Sequence, residues 1–423
     1  MEHPLALRAL AHFDDLFPIE VQEPLRSGNI IDQISSFAGF GAQTERIEEA
    51  GIPYLINEFW TSGQRKAHSI HEVSYRACFK PQLPEFFISR ATTAGDHVLD
   101  PFMGRGTTPV QAALMGRRPL GNDVNPLSRL LTRPRLRVPL LADVAAALRS
   151  IDWSAPCDVR DDLLAFYHPQ TLRHICVLRD HLLRVAPLDD HYPNPVWDWI
   201  RMVAINRLTG HSNGFFSVYS LPPNQAVSIA SQLKINEKRN QTPVERDIAA
   251  LILKKSRSLL RDLPQPQIGD FDLLCGQAEY LPTVADASVA LTVTSPPFLD
   301  VVQYADDNWL RCWFAGIDVE AISISMHKGE LAWLNMVRSV LTEQARVLKS
   351  KGLVAFEVGE VRNGKVLLER LVWEAAVGLP FERLAVMVNQ QEFTKTANCW
   401  GVKNNSGGTN SNRIVILERH ERG

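Results

Sequence analysis

A strand, a glycine-containing turn, a helix and a second strand follow one another between residues 96 and 123, and this succession limits the fold more than any other feature of the chain. Residues 96–99 (DHVL) predict a short buried strand, and residues 109–115 (PVQAALM) predict the helix that follows the turn. Residues 118–123 (RPLGND) predict the next strand. Such a unit within about 30 residues is typical of an open α/β sheet with parallel strands.

The strand pattern then stops, and it returns at residues 270–276, 287–294 and 352–358, with later candidates at 384–388 and 413–417. The intervening region contains helical stretches such as ADVAAALRSI and ERDIAALILKKSRSLLRDL. We therefore expect one α/β core interrupted by a large, mostly helical insertion. The predicted boundaries are an N-terminal extension over 1–67, a core over 68–135 and 268–423, and the insertion over 136–267.

Within the N-terminal extension, residues 43–50 (QTERIEEA) predict a helix that ends at Gly51, because glycine is favoured just after a helix C-terminus. His68, His71 and Glu72 lie close together in the sequence, but no matching further ligand is visible, so we predict no metal site.

Composition limits the class of protein and its compartment. The chain has 423 residues, a formal net charge of −2 and six cysteines. No CxxC pair occurs, which favours reduced thiols over disulfides or a cysteine zinc site. We find neither a signal peptide nor an apolar run long enough to cross a membrane, so a cytoplasmic protein without membrane contact is expected. A basic surface for nucleic acid would have to be local, since the whole chain is slightly acidic.

The glycine turn has the sequence Asp100-Pro101-Phe102-Met103-Gly104-Arg105-Gly106-Thr107-Thr108. It follows a strand, and open α/β sheets bind ligands at the carboxyl ends of their strands. The Gly-Lys-Ser/Thr ending of a phosphate-binding loop is absent, and Pro109 stands where a dinucleotide fingerprint needs a small residue. A different cofactor is therefore favoured, with Asp123 as an acceptor for ribose hydroxyls. The alternative is a tight turn beside a surface acid.

A second element, Thr294-Ser295-Pro296-Pro297-Phe298, closes an apolar strand. The two prolines lack N–H groups and have a fixed φ, so the backbone is rigid and its carbonyls can act as acceptors. Together with the Ser295 hydroxyl and the Phe298 ring, they suit the binding of a planar heterocycle by its amino group. The alternative is that Pro296 and Pro297 simply terminate the strand.

Taken together, these two elements resemble the amino-methyltransferase family of DNA methylases, which pairs a DPFxGxGTT cofactor motif with a (D/N/S)PP(Y/F) catalytic motif. Residues 100–108 match the first motif without interruption, and Ser295, Pro296, Pro297 and Phe298 match the second. The resemblance covers roughly residues 68–130 and 268–417. It implies a Rossmann-like α/β fold, the core of an S-adenosylmethionine-dependent methyltransferase, and a flipped base as substrate.

The resemblance also implies roles for particular residues. S-adenosylmethionine would be held by Lys80, Pro81, Asp100, Pro101, Phe102, Gly104, Gly106, Thr107, Thr108, Asp123 and Gln277. Gln277 stands where the family often has an acid. A serine at the first catalytic position is associated with the N4 of cytosine, whereas Asp or Asn mostly accompanies the N6 of adenine. Adenine or RNA as substrate therefore remains an alternative, as does a catalytically silent subunit that binds nucleic acid. A cognate restriction endonuclease and the oligomeric state are left open.

Double-stranded DNA is the expected partner, and two regions are candidates for its contact. Residues 201–262 carry ten Lys or Arg and four Asp or Glu, beside the aromatic Phe215, Phe216 and Tyr219. The alternative for this stretch is a solvated helix face. The second candidate is the polar segment 395–413. The predicted DNA contacts are Lys234, Lys238, Arg239, Lys254, Lys255, Lys395, Lys403 and Arg413.

Overall fold

In the computed structural model, a nine-stranded mixed sheet is flanked by helices on both faces. The structure describes residues 29–60, 67–76, 78–188, 194–221, 223–263, 270–299, 304–319, 322, 329–361, 366–390 and 411–420. The strands are β1 (Glu45–Glu49), β2 (Ile52–Asn57), β3 (His97–Asp100), β4 (Arg118–Asp123), β5 (Asp272–Cys275), β6 (Val289–Thr294), β7 (Leu348–Val358), β8 (Glu360–Val361), β9 (Val366–Leu367), β10 (Phe381–Gln390) and β11 (Ser411–Arg419).

The helices alternate with these strands in the core and follow one another in the insertion. They are α1 (Ile30–Ser35), α2 (Gln82–Ala91), α3 (Thr107–Leu114), α4 (Pro126–Leu136), α5 (Leu141–Ser150), α6 (Pro169–Val185), α7 (Pro195–Ile205), α8 (Ile229–Arg239), α9 (Ile248–Leu259), α10 (Tyr304–Ala315), α11 (Glu330–Val347) and α12 (Leu368–Ala375). In the described ranges, no helix is both long and apolar enough to cross a bilayer.

The strand order of the large sheet is β1-β2-β10-β11-β7-β6-β3-β4-β5. From β7 to β5 every neighbouring pair is parallel, whereas β11 runs antiparallel to both β7 and β10. This is a Rossmann-like α/β sheet, as expected from the sequence. The chain order reverses around β3, which has β4 on one side and β6 on the other, and ligands bind at such switch points.

The apolar side chains alternate between the two faces of the sheet, as the period of a strand requires. On β11, Ile414 and Ile416 pack into the cluster under α1 and α2, while Val415 and Leu417 pack into the cluster under α11 and α12. A third cluster joins α5, α6, α7 and α9, which lie within residues 136–267, to α4 and α10, and it includes the fully buried Trp199. The insertion is therefore packed against the core.

The helix predicted over residues 43–50 is wrong. These residues form β1, which pairs antiparallel with β2 and continues the sheet at its edge. Every residue of β1 is exposed, so the segment lacks the buried stripe that would hold an amphipathic helix against the core. The φ values of Ala50 and Gly51 are 52° and 74°, the left-handed pair of a tight hairpin. Gly51 is thus a hairpin residue, and part of the N-terminal extension belongs to the sheet.

Candidate active site

The glycine turn between β3 and α3 lies at the carboxyl edge of the sheet, beside the end of β4. The backbone N–H of Gly104 donates to Asp123 Oδ2 at 2.8 Å, and the N–H of Asn125 donates to Asp123 Oδ1 at 2.9 Å. Burial raises the pKa of Asp123 above its ordinary value, although the two N–H donors oppose that shift. The carboxylate is therefore fixed in orientation at the end of its strand.

Two glycines are required for the shape of this turn. The φ of Gly104 is 49° and that of Gly106 is 77°, values that other residues adopt only with strain. A Cβ atom on Gly106 would also lie 2.2 Å from Thr132 Oγ1 in α4. A Cβ on Gly104 would instead enter the space beside Tyr75 and Cys78. Gly104 consequently leaves room for a ligand, whereas Gly106 allows α3 and α4 to approach.

The catalytic motif at the end of β6 is bonded directly to the glycine turn. Thr294 Oγ1 donates to Asp100 Oδ1 at 2.6 Å, and Thr108 Oγ1 donates to the Val293 carbonyl at 3.0 Å. Beyond the strand, Trp333 Nε1 donates to the Pro297 carbonyl at 2.9 Å. These bonds hold the Ser-Pro-Pro segment next to the turn, although the two lie far apart in the sequence.

Both motifs line a single cleft, which is the arrangement that the sequence prediction requires. The residues that form its wall are Tyr75, Cys78, Phe79, Pro101, Phe102, Met103, Gly104, Thr107, Asp123, Val124, Asn125, Gly276, Gln277, Ala278, Glu279, Ser295, Pro297 and Met336. The predicted convergence of the segments around residues 104 and 296 is therefore confirmed. The cleft lies at the carboxyl ends of β3, β4, β5 and β6.

A buried acid of β7, which sequence analysis missed, lies beside the catalytic serine. Glu357 is hydrogen-bonded by the Ser295 hydroxyl, and its Oε1 accepts a bond of 2.8 Å from Asn412 Nδ2 on β11. Burial raises the pKa of Glu357 above its ordinary value of 4.5, against the opposing effect of both hydrogen bonds. The signal in the sequence was a lone carboxylate within the apolar run GLVAFEV.

Several predicted cofactor residues support the cleft from behind its wall. Asp100 is buried beneath it, and burial raises its pKa from 3.8 to about 7. Thr108 is fully buried on α3. At the start of α2, Lys80 is exposed and Pro81 is buried. Neither is among the described residues that line the cleft, whereas Phe79 is. The turn before α2 directs Phe79 inward and the Lys80 side chain into solvent.

The catalytic prolines and aromatic ring also differ in their surroundings. Pro297 lines the cleft together with Ser295, while Pro296 is buried. The Phe298 ring is half-buried and packs against the apolar cluster under α11. Its stacking on a bound heterocycle stays a prediction.

Seven of the eight predicted DNA contacts fall into three groups. Lys234, Lys238 and Lys254 are exposed, and Arg239 stacks over the Tyr219 ring with 3.7 Å between the guanidinium carbon and the ring centre. Lys255 is ion-paired with Glu72 at 3.0 Å, and only 13% of its side chain is exposed. Lys395 and Lys403 lie outside the described residues.

The structure does not favour DNA contact by four side chains of the two candidate regions. Arg413 is bound to the fully buried Glu369 at 2.7 Å, so its charge neutralises that carboxylate within the core. Phe215 and Phe216, proposed as aromatic residues that reach the DNA, are buried instead. Arg201, counted in the basic excess, is buried next to Asp198. Packing within residues 136–267 takes Phe215, Phe216 and Arg201 inward, whereas Arg413 lies on β11 and pairs with a buried acid.

The residues of the cleft fit S-adenosylmethionine. The fixed Asp123 carboxylate can accept hydrogen bonds from ribose hydroxyls. Phe102, Val124 and Ala278 supply an apolar wall for a purine ring, and Gly104 leaves space where any side chain would intrude. Fold and cleft together define the class of protein: an α/β methyltransferase core with its cofactor site at the switch point of the sheet.

Comparison with known proteins gives the family. Residues 43–128 match the family described as DNA methylases. The type II methyltransferase M.MjaII of Methanocaldococcus jannaschii is 41% identical over 73 residues, which cover 17% of this chain and 13% of that protein. M.BsoBI of Geobacillus stearothermophilus is 28% identical over 133 residues, which cover 29% of this chain and 26% of that protein. These matches support the assignment of the methyltransferase core around residues 43–128 to the DNA amino-methyltransferase family, whose cofactor is S-adenosylmethionine.

Among solved structures, TrmN from Thermus thermophilus is 12% identical, with a TM-score of 0.33, and the match covers 81% of this chain and 50% of that chain. The matched segments of the two type II methyltransferases span well under two thirds of those proteins.

Proposed function

We propose that this protein transfers a methyl group from S-adenosylmethionine to the N4 amino group of cytosine in duplex DNA, after the base has left the helix. The observation that carries the proposal is that Ser295 and Pro297 line the same cleft as Gly104 and Asp123. A cofactor held by Asp123 and an amine held by Ser295 would therefore meet within one site.

The Ser295 hydroxyl suits this task. A hydroxyl proton donated to Glu357 would leave the oxygen lone pairs of Ser295 available as acceptors. An exocyclic amine of a base is a weak nucleophile, since its lone pair is delocalised into the ring. Hydrogen bonds accepted from its N–H groups by Ser295 and by a carbonyl of the motif favour a tetrahedral nitrogen. The alignment of the nitrogen would supply much of the rate.

S-adenosylmethionine supplies an electrophilic methyl group on a sulfonium centre. Bound in this cleft, the cofactor would give up its methyl group to the nitrogen and leave as S-adenosylhomocysteine, and the methylated amine would release one proton to solvent. Glu357, hydrogen-bonded to Ser295 and buried, can stabilise the positive charge that develops on the amine. Leu299, next to the motif, and Met336 add apolar surface that limits water.

Cytosine is preferred over adenine because serine opens the catalytic motif. The insertion over 136–267 is proposed as the region that reads the DNA sequence, with Lys234, Lys238 and Lys254 as exposed candidates for phosphate contact. The names of the relatives, type II methyltransferases, favour a role in restriction and modification.

The test is methylation of duplex DNA by the full chain with S-adenosylmethionine, followed by digestion to nucleosides and mass spectrometry. We expect N4-methylcytosine, and its absence from reactions of the Ser295→Ala variant. N6-methyladenine alone would overturn the target base. Methylation of RNA but not of DNA would overturn the substrate. Binding of DNA and cofactor without any product would indicate a catalytically silent subunit.

A further inference from the structure

An open polar groove lies beside the cofactor cleft and shares one wall with it. Tyr75 lines both the groove and the cleft. Three separate parts of the chain complete the groove: Glu72 near the start of the core, Arg105 in the glycine turn, and Arg207 and Lys255 in the insertion. Residues of this groove, here called the basic groove, carry three positive charges and one negative charge.

Arg207 supplies a half-buried charge with free hydrogen-bonding capacity. Its guanidinium lies 4.0 Å from the centre of the Phe215 ring, and its Nε donates to the Asn206 carbonyl at 2.8 Å. Among the described residues, no carboxylate lies within ion-pair distance of it. Burial lowers its pKa to about 10, so it stays charged at neutral pH. Partial desolvation without a paired acid favours the binding of an external anion.

Arg105 contributes a fixed positive charge from the cofactor turn itself. Its Nη1 donates to the Val73 carbonyl at 2.8 Å and its Nε to Thr107 Oγ1 at 3.2 Å. These neutral acceptors hold the guanidinium in place without cancelling its charge. The basic groove is thereby linked to the same turn that carries Gly104.

Among the described residues that line the basic groove, Glu72 is the one acid. Its carboxylate contacts Lys255 at 3.0 Å and Arg261 at 3.7 Å, and nearly half of its side chain is exposed. An exposed carboxylate beside these cations occupies the position that another anion would take. It would also repel a phosphate that approached Arg207.

We propose that the basic groove binds one backbone phosphate of the DNA, next to the nucleotide whose base enters the cleft, and that Glu72 competes with this phosphate for Lys255. The identity of the anion rests on the proposed function. A phosphodiester has the charge and the acceptor oxygens that Arg207 and Lys255 can bind together. The shared Tyr75 wall places this anion one side chain away from the cleft.

Competition between Glu72 and the phosphate predicts that removing the acid and removing a cation change the DNA affinity in opposite directions. Removing the charge of Arg207 or Lys255 removes a phosphate contact, whereas removing the charge of Glu72 frees Lys255 and lowers the repulsion. Arg207→Gln and Lys255→Gln should each weaken DNA binding by about tenfold and reduce the salt dependence by about one unit of slope. Glu72→Gln should strengthen binding by about three- to tenfold. A purely structural Glu72–Lys255 pair would instead make both partners' variants equally harmful.

The experiment measures the affinity of the full chain for a fluorescent duplex by anisotropy at several salt concentrations. The matched control is Lys349→Gln, because Lys349 is also paired with one acid, Asp96, at 2.9 Å, but at the opposite edge of the sheet. Melting temperature and binding of S-adenosylhomocysteine are recorded for each variant. A variant with a folding defect is thereby identified, and the remaining variants still test the inference.

If Glu72→Gln binds more tightly and both cation variants bind more weakly than the control, the inference stands. If all four variants share one salt slope, or if Glu72→Gln weakens binding, it is overturned. If the unaltered protein binds S-adenosylhomocysteine but no duplex DNA, the proposed function itself fails, and that result differs from the other two.

Discussion

The hydroxyl of Thr294 donates a hydrogen bond of 2.6 Å to the carboxylate of Asp100, although 194 positions separate the two residues in the chain. Each ends a strand, β6 and β3 respectively. Thr294 precedes the catalytic motif and Asp100 opens the cofactor motif, and both motifs contribute to the cleft. The bond is buried from solvent on both sides. It therefore fixes the distance between the cofactor turn and the catalytic segment.

The first prediction concerns that bond. Thr294→Val should lower the free energy of unfolding by about 1–3 kcal/mol, because it removes a side-chain donor from a buried carboxylate that keeps the Phe102 N–H. Thr294→Ser keeps the hydroxyl, so its free energy of unfolding should decrease much less. Both values come from urea denaturation followed by circular dichroism. Equal stabilities of the Val and Ser variants would contradict a role for the hydrogen bond.

The second prediction follows from the pKa of Asp100, which burial raises from 3.8 to about 7. As the pH rises from about 4 to 7, the unfolded chain loses this proton before the folded protein does. The contribution of Asp100 to stability is therefore present at low pH and is lost as the pH passes through 7. Asp100→Asn lacks this loss and keeps an acceptor for Thr294.

Melting temperatures of the cofactor-free protein at pH 5 and pH 8 test this point. The melting temperature of Asp100→Asn, relative to that of the unaltered protein, should be higher at pH 8 than at pH 5. A constant difference between the two proteins across this range would show that Asp100 ionises normally in the folded state.

The third prediction concerns the catalytic serine. Ser295→Ala should lower kcat by at least about 100-fold, because the amine loses an aligned acceptor. Binding of S-adenosylhomocysteine, measured by calorimetry, should persist, since the ribose acceptor Asp123 is untouched. Loss of both turnover and cofactor binding would indicate a folding defect, and full activity would remove Ser295 from the mechanism.

The fourth prediction tests Glu357 through its effect on Ser295. The pKa of Glu357 lies above its ordinary 4.5, so kcat of the unaltered protein should fall as the pH decreases towards that value and the carboxylate is protonated. Glu357→Gln should lower kcat by about tenfold or more and should remove this acidic decline, because no ionisation remains. The pH profile of kcat separates this role from a structural one. A variant that keeps the decline would exclude Glu357 as its source.

The fifth prediction compares two glycines with similar, positive φ values. Gly106 and Gly116 have φ values of 77° and 71°, but a Cβ on Gly106 would lie 2.2 Å from Thr132 Oγ1, whereas nothing lies within 4 Å of one on Gly116. Gly116→Ala should cost about 1 kcal/mol through backbone strain alone. Gly106→Ala should cost clearly more and should weaken cofactor binding. Similar losses at both sites would mean that α4 yields to the added methyl group.

The local sequence patterns of strands, turns and helices were sufficient to predict the α/β core and both motifs. Short apolar runs at residues 96–99 and 287–294 form β3 and β6, because they are buried on both faces of a parallel sheet. Where the pattern was weak, prediction failed: residues 43–50 were interpreted as a helix, whereas pairing with the buried β2 makes them a strand. Strand pairing is a long-range choice that propensity does not contain.

For the candidate site too, some features follow from the local sequence and others only from the tertiary structure. The residue types of the two motifs, read locally, determined which chemistry the chain can perform, and the pattern of residues 100–108 and 295–298 determined the family that it resembles. Only the tertiary structure decided that these motifs share a cleft and that Glu357 lies next to Ser295. It also decided that Arg413 pairs with the buried Glu369 and that Phe216 is buried. The physical reason is that burial and charge pairing depend on which distant segments become neighbours.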